Sequence, residues 1–158
     1  IRSLENAENL INSGCDKIVI NSLIHENPKI FSQIISMFGS SSVVGSIQYS
    51  RIKKDTTYYK MARETTGIKL SDMIKKYIDL GCGEILITEI NNDGRFLGLD
   101  RELIDITKQF EQVPILIGGG FKDEEDIEAF KLHASAVVIS SALHYEKIKI
   151  KDLIYKRQ

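Results

Sequence analysis

The chain contains no tryptophan, only two prolines and two cysteines in 158 residues, and its formal net charge is −1. This near-balance of charge gives no reason to expect binding to nucleic acid or to an anionic membrane. No apolar run reaches the length of a membrane span, and we expect no signal peptide. Cys15 and Cys82 each open a predicted strand, so a reduced, cytoplasmic protein with both thiols in the core is the simplest interpretation.

An internal repeat is the most informative feature that the chain does contain. The segment IVINSLIH at 18–25 returns as VVISSALH at 137–144, and residues 1–10 align with residues 121–130. Each apolar run ends in two small polar residues, which predicts a buried parallel strand opening into a polar turn. A repeat of this length predicts a pseudo-symmetric α/β protein with two related anion sites, and therefore a ligand with two phosphates.

Strands and helices alternate along the chain, which is the pattern of a parallel sheet with helices outside it. Predicted strands cover 17–20, 43–49, 84–90, 114–117 and 136–139, and predicted helices cover 4–12, 28–37, 70–80, 100–110, 123–131 and 149–156. The polar stretch 51–67 is long for a strand-to-helix loop, and Thr56–Tyr59 is predicted as one arm of a hairpin within it.

The half-repeat favours a (β/α)8 TIM barrel over a doubly wound sheet, because such barrels commonly carry related halves. A complete barrel needs about 250 residues, which is more than this chain supplies. We therefore expect residues 1–158 to form a single portion of a barrel, covering about the last five βα units, with the N-terminal strands 1–3 absent. The exposed strand edges of such an incomplete barrel would favour self-association.

Gly118–Gly120 follows an apolar strand and precedes a helix. Without side chains, this backbone can approach an anion closely and direct its N–H groups at it. Ser140 and Ser141 end the next strand, and in a barrel the loops after the last two strands often form one phosphate site. The alternative is that the glycines only make a tight turn. Asn21 and Ser22, the repeat partners of the two serines, are predicted to form half of a second phosphate site.

Five segments follow one another in a distinctive order: GCDKIVINS at 14–22, GCGEILIT at 81–88, NDG at 92–94 with GLD at 98–100, VPILIGGG at 113–120 and SSALH at 140–144. In the same order, they resemble segments of one family, the cyclase subunit of imidazole glycerol phosphate synthase. The likeness extends from about Ile1 to Lys156. It implies a TIM barrel that closes an imidazole ring on a ribulosyl-formimino aminoimidazole bisphosphate. It also implies a heterodimer with a glutaminase subunit, which sends ammonia through the barrel.

The resemblance also assigns site residues. It implies phosphate or substrate contacts at Asn21, Ser22, Thr88, Gly94, Gly118, Gly119, Gly120, Ser140 and Ser141. It implies acid–base chemistry at Asp93, for which the alternative is an ordinary Asp-Gly turn. It places Lys17 and Glu84 at the amino-terminal mouth of the barrel as an ammonia gate, with a plain structural ion pair as the alternative. Asp16 would contact the glutaminase. The resemblance implies no metal and no other cofactor.

One position departs from the family pattern. The family has a strand of the form x-V-V-x-x-I-D-x-[KR] whose Asp is catalytic, whereas this chain reads VVGSIQYSR at 43–51 and places Gln48 there. An amide can form hydrogen bonds but cannot accept a proton as a carboxylate does at neutral pH. Glu89 on the neighbouring strand would either compensate or simply point elsewhere.

Three functions therefore stay open. The first is a true cyclase subunit. The second is a catalytically altered paralogue that channels glutaminase-derived ammonia to another biosynthetic enzyme, such as a surface-sugar amidotransferase. The third is a non-catalytic barrel fragment that only binds phosphates. Gln48 beside the retained Asp16, Lys17 and Glu84 favours the second, because the chemistry is altered while the conduit is kept.

Overall fold

A computed structural model describes residues 1–53, 56–60 and 62–153. Its strands are β1 (Ile18–Ile20), β2 (Val43–Ser50), β3 (Thr56–Tyr59), β4 (Glu64–Lys69), β5 (Glu84–Glu89), β6 (Ile115–Gly118) and β7 (Ala136–Val137). Its α-helices are α1 (Leu4–Asn12), α2 (Ser22–Glu26), α3 (Pro28–Phe38), α4 (Leu70–Asp79), α5 (Leu103–Thr107), α6 (Glu124–Phe130), α7 (Ser141–His144) and α8 (Ile150–Leu153). Short 3-10 turns lie at Ser40–Ser42 and Lys108–Phe110.

The strands predicted from the sequence form a parallel sheet in the order β1-β2-β5-β6-β7. β2 has two neighbours on the same edge: β1 pairs with its first half, and β3 pairs antiparallel with its end, where Gln48 faces Tyr58. β3 and β4 form an antiparallel hairpin, which confirms the hairpin predicted within the polar stretch. The hairpin therefore continues the sheet beyond the carboxyl end of β1.

The two faces of the parallel sheet differ in burial. One face packs on the helices: a Cβ atom at Gly45 would lie 2.3 Å from the ring of Tyr77 on α4. This face supplies the core residues Ile18, Ile20, Val43, Ile47, Ile85, Ile87, Ile115 and Ile117. The other face is more open, and Val19 on it is 50% exposed. A parallel sheet with helices packed on one face and a second, more open face is consistent with a (β/α) barrel.

The helix boundaries follow the capping residues. Ser3 accepts a hydrogen bond from the backbone N–H of Asn6 at 3.2 Å and begins α1. Asn27 accepts one from the N–H of Ile30 at 3.2 Å, and proline occupies the first position of α3. Gly39 ends α3 with a φ of 83°. Satisfying the free N–H groups of a first turn with a side-chain oxygen is what makes such starts predictable.

The predicted helix at 100–110 is shorter than expected. Only Leu103–Thr107 is α-helical, and a 3-10 turn follows at Lys108–Phe110. Before α5, the carboxylate of Asp100 accepts the N–H of Glu102 at 3.1 Å, which holds a turn where the sequence pattern predicts helix. Local side-chain bonding therefore competes successfully with helix formation at this end.

Two other helices were not predicted, and one prediction lies partly outside the described residues. α2 and α7 are single turns, too short to produce a 3.6-residue apolar period. Of the helix predicted at 149–156, the structure describes Ile150–Leu153, and the residues after it lie outside the described ranges. No helix in the described ranges has the length and apolar content to cross a membrane.

The placement of the two cysteines corrects one expectation. Cys82 is buried, as expected, whereas Cys15 is exposed. Both lie before a strand, Cys15 ahead of β1 and Cys82 ahead of β5. Cys82 nevertheless packs against the sheet, since a Cβ atom on Gly45 would lie 2.8 Å from its sulfur. The expectation of two core thiols is therefore wrong for Cys15.

The sequence repeat is also a repeat of backbone geometry. Asn21 follows β1 with φ −114° and ψ −77°, and Ser140 occupies the equivalent place after β7 with φ −126° and ψ −79°. Each residue leads into a single helical turn, and neither makes a capping hydrogen bond with its side chain. The two halves therefore present the same local structure at the carboxyl edge of the sheet.

Candidate functional site

A cavity of about 220 Å³ opens at the carboxyl ends of β5, β6 and β7. We call it the glycine–serine cavity; its wall consists of Thr88, Asp93, Gly94, Phe96, Gly118, Gly119, Gly120, Phe121, Val138, Ser140, Ser141 and Ala142. The structure thus brings together the residues that were predicted on three separate segments, namely Thr88 to Gly94, the three glycines and the two serines. Their roles toward a ligand stay predictions.

The three glycines allow two loops to approach each other closely. A Cβ atom on Gly119 would lie 2.5 Å from the carbonyl oxygen of Glu89, and one on Gly120 would lie 2.6 Å from the Cβ of Asn92. Gly119 and Gly120 have φ values of 91° and 100°, which favour glycine on their own. The N–H of Gly98 donates to the carbonyl oxygen of Gly120 at 2.9 Å. The same glycines therefore make the tight turn and line the cavity.

Glu89 fixes the loops after β2 and β5. Its side chain is buried, with 2% of its surface exposed. Its carboxylate accepts the backbone N–H of Arg51 at 3.2 Å and the backbone N–H of Asn92. Buried carboxylates need such donors to offset the loss of hydration. Of the two alternatives for Glu89, the structure favours the second, because the group points into loop backbone and is not part of the cavity wall.

Asp126 is a further organising residue that the sequence analysis missed. It is 2% exposed, and its carboxylate accepts the N–H of Leu99 at 3.2 Å and the N–H of Lys122 at 2.9 Å. Arg101 completes the group at 3.2 Å. These bonds tie the loop after β5 to the loop after β6 beside the cavity. No motif marks Asp126, since it reads as one of several acids at the start of a helix.

The apolar part of the cavity wall also escaped prediction. Phe96, Phe121, Val138 and Ala142 line the cavity but belong to no motif for acid–base chemistry or anion binding. Phe121 carried one usable signal, since it directly follows the three glycines. Apolar residues at a polar site are visible only once the loops are folded together.

The predicted second phosphate half-site lies at the carboxyl end of β1. We call Asn21 and Ser22 the asparagine–serine rim. The amide of Asn21 donates to the carbonyl oxygen of Ser46 at 2.8 Å, beyond the point where β1 stops pairing with β2. The hydroxyl of Ser22 accepts the backbone N–H of Lys60 at 3.1 Å. The tip of the β3–β4 hairpin thus rests on this rim, while the rim shares the carboxyl edge with the glycine–serine cavity.

Gln48 also holds the hairpin. It aligns across the sheet with Thr88, which aligns in turn with Gly118, so all three lie in one row on the inner face. The side-chain oxygen of Gln48 accepts the backbone N–H of Ala62 at 3.0 Å. The amide therefore stands at the expected edge of the sheet, but it is engaged as a hydrogen-bond acceptor for the hairpin.

Lys17 and Glu84 meet at the opposite, amino-terminal edge. Lys17 precedes β1, Glu84 begins β5, and the lysine ammonium contacts the carboxylate as an ion pair. The predicted pairing is confirmed, and the role as a gate stays a prediction. Their side chains are 46% and 22% exposed, so the pair contributes at most about 1 kcal/mol to stability. Asp16 is exposed on the same edge.

Burial alters the protonation of a group beneath the asparagine–serine rim. His25 on α2 lies 3.4 Å from the hydroxyl of Tyr77, which donates to the carbonyl oxygen of Ser46 at 3.0 Å. Burial, followed by the charge of Lys76, lowers the pKa of His25 to about 4. His25 is therefore neutral at pH 7. Burial also raises the pKa of Cys82 to about 12, which keeps it a thiol.

Within the described ranges, no group of three or more His, Cys, Asp or Glu side chains is placed to hold a metal ion. The donors at the glycine–serine cavity are hydroxyls and the backbone of a glycine loop, which suit an anion. The cavity, whose wall also contains Asp93, therefore has the volume and the donors to accept a phosphate-sized group.

A parallel sheet with outer helices and a cavity at the carboxyl ends of its strands are features of the TIM-barrel class. Comparison with known proteins agrees: the family model described as "Histidine biosynthesis protein" matches residues 1–149. The chain belongs to this histidine biosynthesis protein family.

Two similar relatives carry the same name. The imidazole glycerol phosphate synthase subunit HisF of Helicobacter hepaticus is 35% identical over 156 residues, covering 97% of this chain and 62% of that protein. The same subunit of Wolinella succinogenes is 36% identical over 157 residues, with the same two shares. This chain therefore spans about 62% of the length of the relatives it matches. The resemblance to that cyclase subunit family is confirmed.

Proposed function

We propose that this chain forms the later five βα units of a cyclase of the imidazole glycerol phosphate synthase type, which closes an imidazole ring with ammonia. The observation that carries this proposal is the convergence of Gly118–Gly120 with Ser140 and Ser141 around one cavity at the carboxyl edge of the sheet. Family membership and the name of the relatives support it.

The glycine–serine cavity would hold one phosphate of a bisphosphate substrate. Backbone N–H groups of a glycine loop can surround phosphate oxygens, and two serine hydroxyls add donors. The asparagine–serine rim has the same backbone geometry at the same edge, and it would hold the other phosphate. The hairpin tip now bonded to Ser22 would have to yield to that phosphate.

Asp93 would act as a general acid or base. It lies in the wall of the glycine–serine cavity together with Thr88, the glycines and the serines. A carboxylate within reach of the bound substrate can exchange a proton with it. Thr88 would orient the substrate through its hydroxyl.

Ammonia would enter at the amino-terminal edge, where Lys17 and Glu84 form their ion pair. Opening that pair would admit a small neutral molecule to the inner face of the sheet. The exposed Asp16 on the same edge would contact a glutaminase subunit as part of a heterodimer. The word "subunit" in the relatives' name supports an assembly with a second protein.

A second candidate function is favoured by one observation. The side-chain oxygen of Gln48 accepts the N–H of Ala62, so the residue at the position of the family's catalytic carboxylate holds the hairpin and cannot take up a proton. A paralogue with this change would keep the ammonia route but not the ring closure. It would feed ammonia to another enzyme.

The phosphate site is tested by titrating the chain with inorganic phosphate and following backbone amide signals by NMR. We expect the signals of Gly119, Gly120 and Ser141 to shift, and Ser141→Asp to weaken binding at least about tenfold by like-charge repulsion. The matched control is Ser32→Asp on the exposed side of α3. Equal weakening by both variants, or shifts confined to other residues, would contradict the proposal.

The two candidate functions are separated by an ammonia-dependent cyclisation assay. The chain is fused to the part of the Wolinella succinogenes relative that it does not cover, and the fusion is compared with its Gln48→Asp variant. Turnover with Gln48 in place would support the cyclase. Turnover only after Gln48→Asp, with binding of the glutaminase subunit in both, would support the ammonia-channelling paralogue.

A further inference from the structure

Phe96 has a strained backbone at the mouth of the glycine–serine cavity. It lies in the loop after β5 with a φ of 59°, in the left-handed region that side chains larger than glycine or asparagine rarely adopt. Such a conformation is energetically unfavourable and persists only where surrounding contacts hold it. The contacts of the Phe96 ring therefore show what holds the residue in this conformation.

Tyr145 holds the ring in place. The two aromatic rings meet edge to face with their centroids 6.2 Å apart. Tyr145 ends α7, where its backbone N–H donates to the carbonyl oxygen of Ser141 at 2.9 Å, and its ring also meets His144 edge to face at 4.9 Å. The pair thus connects the loop after β5 to the helical turn that begins with a cavity residue. Phe96 is fixed as part of the cavity wall.

The cavity wall consequently combines two kinds of surface. It contains the polar glycine loop with Ser140 and Ser141, and it also contains the apolar rings of Phe96 and Phe121. Inorganic phosphate keeps strongly hydrated oxygens on every side, so an aromatic wall removes water from at least one of them without replacement. A phosphate ester presents carbon on that side, and burying carbon against a ring is favourable. The carboxylate of Asp93 offers an acceptor for a hydroxyl on that carbon chain.

We propose that Phe96 is a specificity-determining residue: its ring makes the glycine–serine cavity select a phosphate monoester of a hydroxylated carbon chain over inorganic phosphate. This inference rests on the proposed phosphate site and adds which part of the ligand lies against the aromatic ring. The ring packs on the carbons next to the phosphate, and the glycine loop and the two serines hold the phosphate itself.

The test compares binding of glycerol 3-phosphate with binding of inorganic phosphate by the 158-residue chain, using NMR titration. The variant is Phe96→Gly, because glycine adopts a φ of 59° freely and keeps the loop conformation while it removes the ring. The matched control is Leu97→Gly, the next residue, which is 65% exposed and is not in the cavity wall. Thermal unfolding of both variants checks that each remains folded.

We expect the unchanged chain to bind the ester about tenfold more tightly than inorganic phosphate. Phe96→Gly should reduce that ratio to about twofold or less, because the ester loses its contact with the ring and inorganic phosphate is no longer dehydrated by it, whereas Leu97→Gly should retain the ratio. A Phe96→Gly ratio equal to that of the unchanged chain would overturn the inference and leave the phosphate site intact. Failure of both ligands to bind the unchanged chain would overturn the phosphate site itself. Phe96→Leu keeps apolar bulk, and it should preserve most of the preference.

Discussion

The two halves of the repeat have the same backbone at the carboxyl edge of the sheet but different surroundings. At Ser140 the strand opens into the glycine–serine cavity, which a glycine loop completes. At Asn21 the strand ends in almost the same conformation, but the neighbouring Ser22 is bonded to the hairpin tip at Lys60. Nearly the same backbone geometry at Asn21 and Ser140 therefore does not give a ligand the same access. The segments that cover each of these two places decide whether a ligand can reach it.

The largest expected effect concerns the close loop packing at the glycine–serine cavity. Gly119→Ala places a methyl group 2.5 Å from the carbonyl oxygen of Glu89 and imposes a φ of 91° on alanine. We expect a loss of about 3 kcal/mol or more in the free energy of unfolding, measured by chemical denaturation.

The control for that substitution is Gly14→Ala. Gly14 has a similar φ of 97°, but a Cβ atom there has no neighbour within 4 Å in the described structure. Backbone strain alone should lower the free energy of unfolding by about 1 kcal/mol. If the two variants lost the same free energy, the argument from close loop approach at the cavity would be wrong.

An intermediate effect is expected at the asparagine–serine rim. Ser22→Ala removes the acceptor for the N–H of Lys60 and should lower the free energy of unfolding by about 1 kcal/mol. Hydrogen exchange at the Lys60 amide should accelerate. The repeat partner provides the control, since Ser141→Ala removes no such bond to a hairpin. Equal exchange rates before and after Ser22→Ala would show that the hairpin tip is held by other contacts.

The smallest expected effect sharpens the comparison through a pair of histidines. His25 and His144 occupy equivalent places in the repeat, but His25 is half-buried against Tyr77 and His144 is exposed. Because the pKa of His25 is lowered from 6.5 to about 4, the unfolded chain binds more protons than the folded chain between those values. Stability from this group is therefore complete above about pH 6.5 and is lost as the pH falls toward 4.

Discounted for the partial exposure of the ring, the effect is on the order of 1 kcal/mol. It is measured as the change in the free energy of unfolding between pH 7 and pH 4.5. His25→Asn should reduce that pH dependence, and His144→Asn should leave it as it is in the unchanged chain. A reduction of the same size in both variants would assign the pH dependence to some other group.

The sequence predicted the parallel strands and most helix starts, because both depend on local patterns. Apolar runs mark the strands, and Ser3 and Asn27 mark helix starts through their side-chain oxygens. The repeat predicted that Asn21 and Ser140 would have equivalent positions. Gly118–Gly120 and the two serines were predicted to form one site, because the loops after the last two strands of a barrel lie side by side. Thr88, Asp93 and Gly94 were assigned only through the family resemblance.

The remaining features depend on contacts between distant segments. The burial of Glu89 and Asp126 follows from backbone N–H groups supplied by other loops, which no spacing in the sequence shows. The aromatic wall at Phe96 arises from a left-handed residue paired with Tyr145, almost fifty positions away. The hairpin tip contacts Ser22 because β3 pairs with the edge of β2 beyond the point where β1 ends.

β1 and β3 share one edge of β2, and this arrangement affects how the asparagine–serine rim can be uncovered. The β3–β4 hairpin is held at its base, where Ser50 pairs with Thr56 and bonds through its hydroxyl to Asn91 at 2.6 Å, and at its tip, where Lys60 bonds to Ser22. The bond at the tip can break while the base stays paired with β2, and this would release the hydroxyl of Ser22 for a ligand.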